Sequence, residues 1–72
     1  MSKNRVARRV YRVLPDGDLW VVKRQNSVVR RFDRKESAVG LGEQLARTNL
    51  PSKLVVLNDD GTIETEQTYG TD

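Results

Sequence analysis

Closely spaced carboxylates are the chain's main candidates for chemistry, because it contains no histidine and no cysteine. Asp16 and Asp18 flank Gly17, and Asp59 and Asp60 precede Gly61. Aspartates beside a glycine are typical of tight turns, where their oxygens bind nearby backbone N–H groups. Acid–base catalysis would instead require side chains that converge on one substrate. We therefore interpret both pairs as turn residues and expect a non-enzymatic protein.

The composition also argues against a bound metal or cofactor. Zinc and haem are usually held by histidine or cysteine, and calcium needs six or more oxygen ligands at a spacing that no loop here offers. The five glycines form no phosphate-binding motif. We therefore predict no cofactor and no metal.

Targeting features are lacking in the sequence as well. The longest apolar runs, Leu19 to Val22 and Leu54 to Leu57, are far shorter than the roughly 20 residues of a membrane helix. The basic amino terminus is not followed by the apolar segment of a signal peptide. Because the chain has no cysteine for disulfides, we expect a cytoplasmic protein without membrane contact.

Charge is strongly segregated along the chain. Residues 1–35 hold eleven Lys or Arg against three Asp, a net charge of +8, whereas residues 36–72 hold two basic and seven acidic residues, a net charge of −5. A basic surface with arginines as ionic anchors suits an acidic partner. Val6 is the predicted apolar anchor, although it could instead belong to the core. The predicted contact residues are Lys3, Arg5, Val6, Arg8, Arg9, Arg30, Arg31, Arg34 and Lys35.

Five strand-like segments and one helix must position these residues. The first hairpin is predicted from two strands, residues 6–14 and residues 19–24, joined by the turn Pro15-Asp16-Gly17-Asp18. A short edge strand is predicted over residues 28–32. Residues 53–58 and 62–68 predict a second hairpin around Asp59-Asp60-Gly61. Tyr11 and Val13 should share the apolar face of the sheet with Val22 and with Trp20 as the centre of the core.

The helix is predicted over residues 34–48. Asp33 and Glu36 match a capping box, and Asn49 before Pro51 predicts a left-handed stop. The apolar stripe that should face the sheet consists of Ala38, Leu41, Gly42, Leu45 and Ala46. Gly40 and Gly42 each cost about 1 kcal/mol relative to alanine in a helix, so packing must compensate.

These elements predict an α+β fold of order β-β-β-α-β-β. Two hairpins and a short strand form a small antiparallel sheet, and one α-helix packs on one face. The predicted organisation is a disordered basic arm over residues 1–5, a single domain over residues 6–70 and a tail over residues 71–72.

The turn and core positions resemble a family of small bacterial and phage proteins of unassigned function. The resemblance covers about residues 10–70 and rests on Val13, Pro15, Trp20, Val22, Phe32, Ala38, Leu54 to Leu57, Asp60-Gly61-x-Ile63 and Tyr69-Gly70. It implies the fold more than an activity. The chain departs from the pattern at Leu19, where a glycine commonly precedes the tryptophan, and in its arginine-rich first strand.

The size and the basic arm also resemble small lytic-phage transcription regulators. Such proteins bind host RNA polymerase, inhibit initiation and promote antitermination, so this resemblance implies a polymerase partner rather than DNA readout. The resemblance thus implies a protein that acts in the cytoplasm of a bacterial host cell, and we expect it to be a monomer. Two alternatives remain from the residues alone: a nucleic-acid-binding domain with sequence-independent phosphate contacts, and a dimer in which the basic half of one copy binds the acidic half of another.

Overall fold

The computed structural model describes residues 8–70, which form five strands and one helix. The predicted arm over residues 1–5 and the tail over residues 71–72 lie outside the described residues. The elements are β1 (Arg9–Asp16), β2 (Leu19–Arg24), β3 (Ser27–Phe32), α1 (Lys35–Thr48), β4 (Ser52–Leu57) and β5 (Ile63–Tyr69). This is the α+β class and the β-β-β-α-β-β order that the sequence predicts.

The strands form one mixed sheet of order β3-β2-β1-β4-β5. Both predicted hairpins are present, since β1 pairs with β2 and β4 with β5 in antiparallel fashion. Three of the four strand pairs are antiparallel, as the sequence predicts, but the central pair, β1 with β4, is parallel. The physical reason is that α1 is a crossover, which returns the chain to the end of the sheet where β3 began.

The core lies between α1 and one face of the sheet. Tyr11 and Val13 of β1 and Val22 of β2 are buried there as predicted. On the helix, the small residues Ala38, Gly42 and Ala46 are buried, and Leu41 and Leu45 pack partly against them. Trp20 is only partly buried at the margin of this cluster, so its prediction as the core centre was wrong. It lies opposite Pro15 in the register, near the end of the hairpin, whereas Val13 and Val22 face each other at the middle.

Both predicted helix caps differ from the structure. The N-cap is Arg34, which is extended at φ −119° and ψ 141°, and no side chain caps the helix start. Asp33 therefore lies one residue too early for a capping box with Glu36. At the other end Asn49 has φ −130° rather than a left-handed conformation. Its side-chain Nδ2 instead donates to the Leu45 carbonyl oxygen at 2.8 Å.

The two helix glycines are in different environments. A Cβ at Gly42 would lie 2.9 Å from Leu54 Cδ1 and 3.2 Å from Val13 Cγ2, both in the core, whereas a Cβ at Gly40 would meet nothing within 4 Å. Gly42 thus allows α1 to approach the sheet closely, and Gly40 does not serve this purpose.

Alanine substitutions should therefore have opposite effects at these two positions. We expect Gly40→Ala to raise the free energy of unfolding by up to about 1 kcal/mol, because it adds helix propensity. Gly42→Ala should lower it by about 1 kcal/mol, because overpacking outweighs the same gain. Urea denaturation of the two variants measures both values. An equal gain in both would contradict the close approach at Gly42.

The buried Tyr11 hydroxyl predicts a second stability effect. Tyr11 is 1% exposed, and its hydroxyl has no hydrogen-bond partner within residues 8–70. Burying an unpaired hydroxyl costs free energy, so Tyr11→Phe should raise the free energy of unfolding by about 1 kcal/mol. The control is Tyr69→Phe, where the hydroxyl donates to Gln67 Oε1 at 3.0 Å and no gain is expected. Denaturation midpoints compare the two, and destabilisation by Tyr11→Phe would refute the interpretation.

Candidate functional site

Six of the nine predicted contact residues are described by the structure, and these six do not form one cluster. Lys3, Arg5 and Val6 lie outside the described residues. The other six are distributed over the start of β1, the β3 edge and the start of α1. Their environments differ, and they divide into residues that hold the fold together and residues that present charge to solvent.

Arg8 and Arg9 join the start of β1 to the segment between α1 and β4. Arg8 Nη1 donates to the Ser52 carbonyl oxygen at 3.3 Å, and Arg9 Nη1 donates to the Leu50 carbonyl oxygen at 3.4 Å. The Arg9 backbone N–H donates to the Pro51 carbonyl oxygen at 3.1 Å. Both arginines thus connect the start of β1 to the residues at the start of β4.

Arg30 and Arg31 are adjacent in β3 but point to opposite faces of the sheet. The Arg30 guanidinium lies over the Phe32 ring at 5.3 Å from its centroid, on the side of α1. Arg31 pairs in register with Val21 on the other side, and its Nε is 4.0 Å from Asp16 Oδ2. The predicted basic cluster is therefore divided by the sheet itself.

Lys35 makes two side-chain contacts within the fold. Its Nζ lies 5.1 Å from the centroid of the Trp20 ring and forms an ion pair with Glu64 Oε1. This contact connects the first turn of α1 with β5. Arg34, its neighbour, is exposed and has no ion pair within residues 8–70.

The face of the sheet opposite α1 carries further cations that the predicted contact list omits. We call it the open face, because the helix contacts described for the chain lie on the other side. The strand register assigns to it Val10, Arg12, Leu14, Asp16, Leu19, Val21, Lys23, Val28, Arg31, Lys53, Val55, Leu57, Ile63, Glu66 and Thr68. Successive side chains of a strand point to opposite faces of the sheet. Because Lys23 follows the core residue Val22 and Lys53 precedes the core residue Leu54, the sequence alone assigns both lysines to the face opposite the core.

All four aromatic residues belong to the side of α1. Tyr11 is in the core cluster, and Trp20, Phe32 and Tyr69 pack against it. Their positions follow from the register, in which Trp20 faces Phe32 and Ser52 faces Tyr69. The open face therefore has no aromatic platform on which bases could stack.

Of the four aspartates predicted as turn residues, Asp18, Asp59 and Asp60 lie in turns, whereas Asp16 is the last residue of β1. Asp60 Oδ1 accepts hydrogen bonds from the Thr62 hydroxyl at 2.7 Å and from the Thr62 N–H at 3.1 Å. These hydrogen bonds lower the pKa of Asp60. In residues 8–70, no three acidic, histidine or cysteine side chains are grouped so as to hold a metal ion. No helix in the same range is long and apolar enough to span a membrane.

Comparison with protein families assigns the chain to a bacterial family. It belongs to the family described as "Uncharacterized protein conserved in bacteria (DUF2188)", which matches residues 11–69. The predicted resemblance to a family of unassigned function is thereby confirmed at the level of this family. The comparison with curated proteins gave no match, and neither did the comparison with solved structures. The matched range excludes five predicted contact residues, namely Lys3, Arg5, Val6, Arg8 and Arg9.

The Lys35 contacts predict a measurable structural role. Lys35→Gln removes both the ion pair with Glu64 and the cation over Trp20, so its free energy of unfolding should fall by about 0.5 to 1 kcal/mol. The emission of Trp20, the single tryptophan, should shift as well. The matched control is Arg34→Gln, which removes an exposed neighbouring charge. Equal stability and equal emission in the two variants would contradict this role.

Proposed function

We propose that this chain is a non-enzymatic protein-binding domain that regulates transcription by binding bacterial RNA polymerase. In this proposal it acts as a phage-encoded regulator that inhibits initiation and promotes antitermination. The basic surface contacts an acidic region of the polymerase, and the arm over residues 1–5 contributes to the contact together with Val6. The polymerase assignment rests on the resemblance in size, basic arm and sequence pattern described above.

The observation that carries the protein-binding part is the arrangement of side chains on the open face. Cations there surround aliphatic residues such as Val21 and Val55, while the aromatic residues are on the side of α1. Protein interfaces combine an apolar centre with a polar rim. Proteins that bind single strands rely on exposed aromatic rings instead. The arrangement therefore favours a protein partner.

The positive charge of the chain could also bind the phosphates of a nucleic acid. The formal net charge is +3, and Arg30, Arg31 and Arg34 are all exposed. Phosphate binding would fall steeply with salt and would be insensitive to sequence. The salt dependence of binding thus separates the two partner classes.

Deletion of residues 1–7 tests the proposal. We expect the full chain to bind purified bacterial RNA polymerase after nuclease treatment at about 150 mM salt. The deletion should abolish binding without lowering the melting temperature, because β1 begins at Arg9 and the family match at Tyr11. Surface plasmon resonance and thermal unfolding measure the two quantities.

Two controls keep this test specific. The double variant Lys3→Gln/Arg5→Gln should weaken polymerase binding, whereas Arg24→Gln/Arg47→Gln, which removes the same charge elsewhere, should not. Absence of binding by the full chain would reject the polymerase as partner. Recovery of nucleic acid alone, with affinity falling linearly in logarithmic salt, would make the nucleic-acid-binding alternative correct.

A further inference from the structure

We infer that the open face is a docking site for an acidic amphipathic segment of a partner protein, which places an apolar side chain between β1, β2 and β3 and carboxylates on Lys23 and Arg12. This inference rests on the proposed protein-binding function but specifies a surface that the predicted contact residues do not include, apart from Arg31. It follows from the apolar floor, the groove and the charges of this face.

The floor of the open face is aliphatic and is not part of the core. Val21 is 2% exposed and Val55 is 8% exposed, although both lie on the side of the sheet away from α1 and outside the core cluster. Their burial comes from the side chains around them. Arg12 stands in register beside both Lys23 and Val55. Long basic side chains cover apolar neighbours with their stems and keep their charged ends in water.

A groove opens beside this floor. It has a volume of about 270 Å³ and is lined by Leu14, Pro15, Val21, Val28, Lys23 and Arg31, with Asp16 at one end. Small-molecule sites are typically larger, at about 300 to 1,000 Å³. The groove suits one large apolar side chain, for which Val28, 42% exposed in the edge strand, supplies an accessible wall.

The charges around the floor specify the chemistry of the occupant. Arg31 and Lys53 lie against carboxylates of the same face: Arg31 Nε is 4.0 Å from Asp16 Oδ2, and Lys53 Nζ is 2.9 Å from Glu66 Oε2. Lys23 forms no ion pair within residues 8–70. Arg12 Nη2 donates only to the Gln25 carbonyl oxygen at 2.8 Å, which leaves its charge uncompensated.

An acidic protein segment fits these features better than a nucleic acid. The two uncompensated cations, Arg12 and Lys23, are cross-strand neighbours and can bind one or two carboxylates at the edge of the floor. The carboxylates of Asp16 and Glu66 would repel a continuous phosphate backbone. Phosphates would also leave the exposed part of Val28 in water, whereas an apolar side chain of an amphipathic segment buries it.

The first experiment maps binding on the full-length protein. We expect a short synthetic peptide that alternates leucine and glutamate to shift the backbone amide NMR signals of Val21, Lys23, Val28 and Arg31. A peptide of the same length with serine in place of leucine should bind more weakly, because the exposed surface of Val28 then stays in contact with water. Shifts confined to Arg30, Arg34 and the surface of α1, or no shifts at all, would overturn the inference.

The second experiment compares two variants of equal charge. Lys23→Glu/Arg31→Glu changes the open face, and Arg24→Glu/Arg30→Glu changes the neighbouring residues on the other face of the same strands. Peptide affinity should fall about tenfold or more in the first and about twofold or less in the second. Equal losses would show that only net charge matters and would overturn the inference. Thermal unfolding verifies that both variants are folded.

Two further probes separate this inference from the proposed function. If the full chain binds the peptide on the open face but does not bind RNA polymerase, the docking site stands and the polymerase proposal fails. If it binds polymerase and both double variants bind equally well, the polymerase proposal stands and the docking site fails. Tighter binding of duplex DNA than of the peptide, with equal losses in both variants, would overturn the docking site in favour of phosphate contacts.

Discussion

The constraint that shapes this protein is that one helix can cover only one face of its sheet. A helix of 14 residues is about 21 Å long, close to the width of five strands spaced about 4.8 Å apart. On the covered face, the aromatic ring of Tyr11 is buried, and the small residues of α1 are buried against this face. The other face must exclude water from Val21 and Val55 without a second layer, and neighbouring side chains perform that task.

This constraint explains why basic residues have two kinds of role. Some hold the small domain together: Arg8 and Arg9 bind carbonyl oxygens at the start of β4, and Lys35 bridges Trp20 and Glu64. Others border the open face, where their stems protect aliphatic residues and their charges remain accessible. A high fraction of arginine and lysine therefore does not identify a binding surface by itself. The environment of each side chain decides its role.

The residues matched by the family model are those that form the core and the turns of the structure. The range from residue 11 to residue 69 contains the whole core and nearly all of the sheet. Pattern positions such as Val13, Val22 and Gly61 are core or turn residues, and Gly61 has a φ of 90°, a conformation that favours glycine. They account for a shared fold. The basic residues before Tyr11 fall outside the match, so the family assignment says nothing about a role of the arm.

The sequence alone determined the elements and the two hairpins, because local turn chemistry and apolar periodicity act over a few residues. It predicted Ala38, Gly42 and Ala46 as the packed side of the helix for the same reason. Only the tertiary structure decided that β1 and β4 pair in parallel, that Trp20 lies at the margin, and that Arg30 rather than Arg31 lies on the side of α1. These properties depend on how distant segments meet. Strand alternation assigns a residue to one of two faces, but only the position of the helix decides which face is covered.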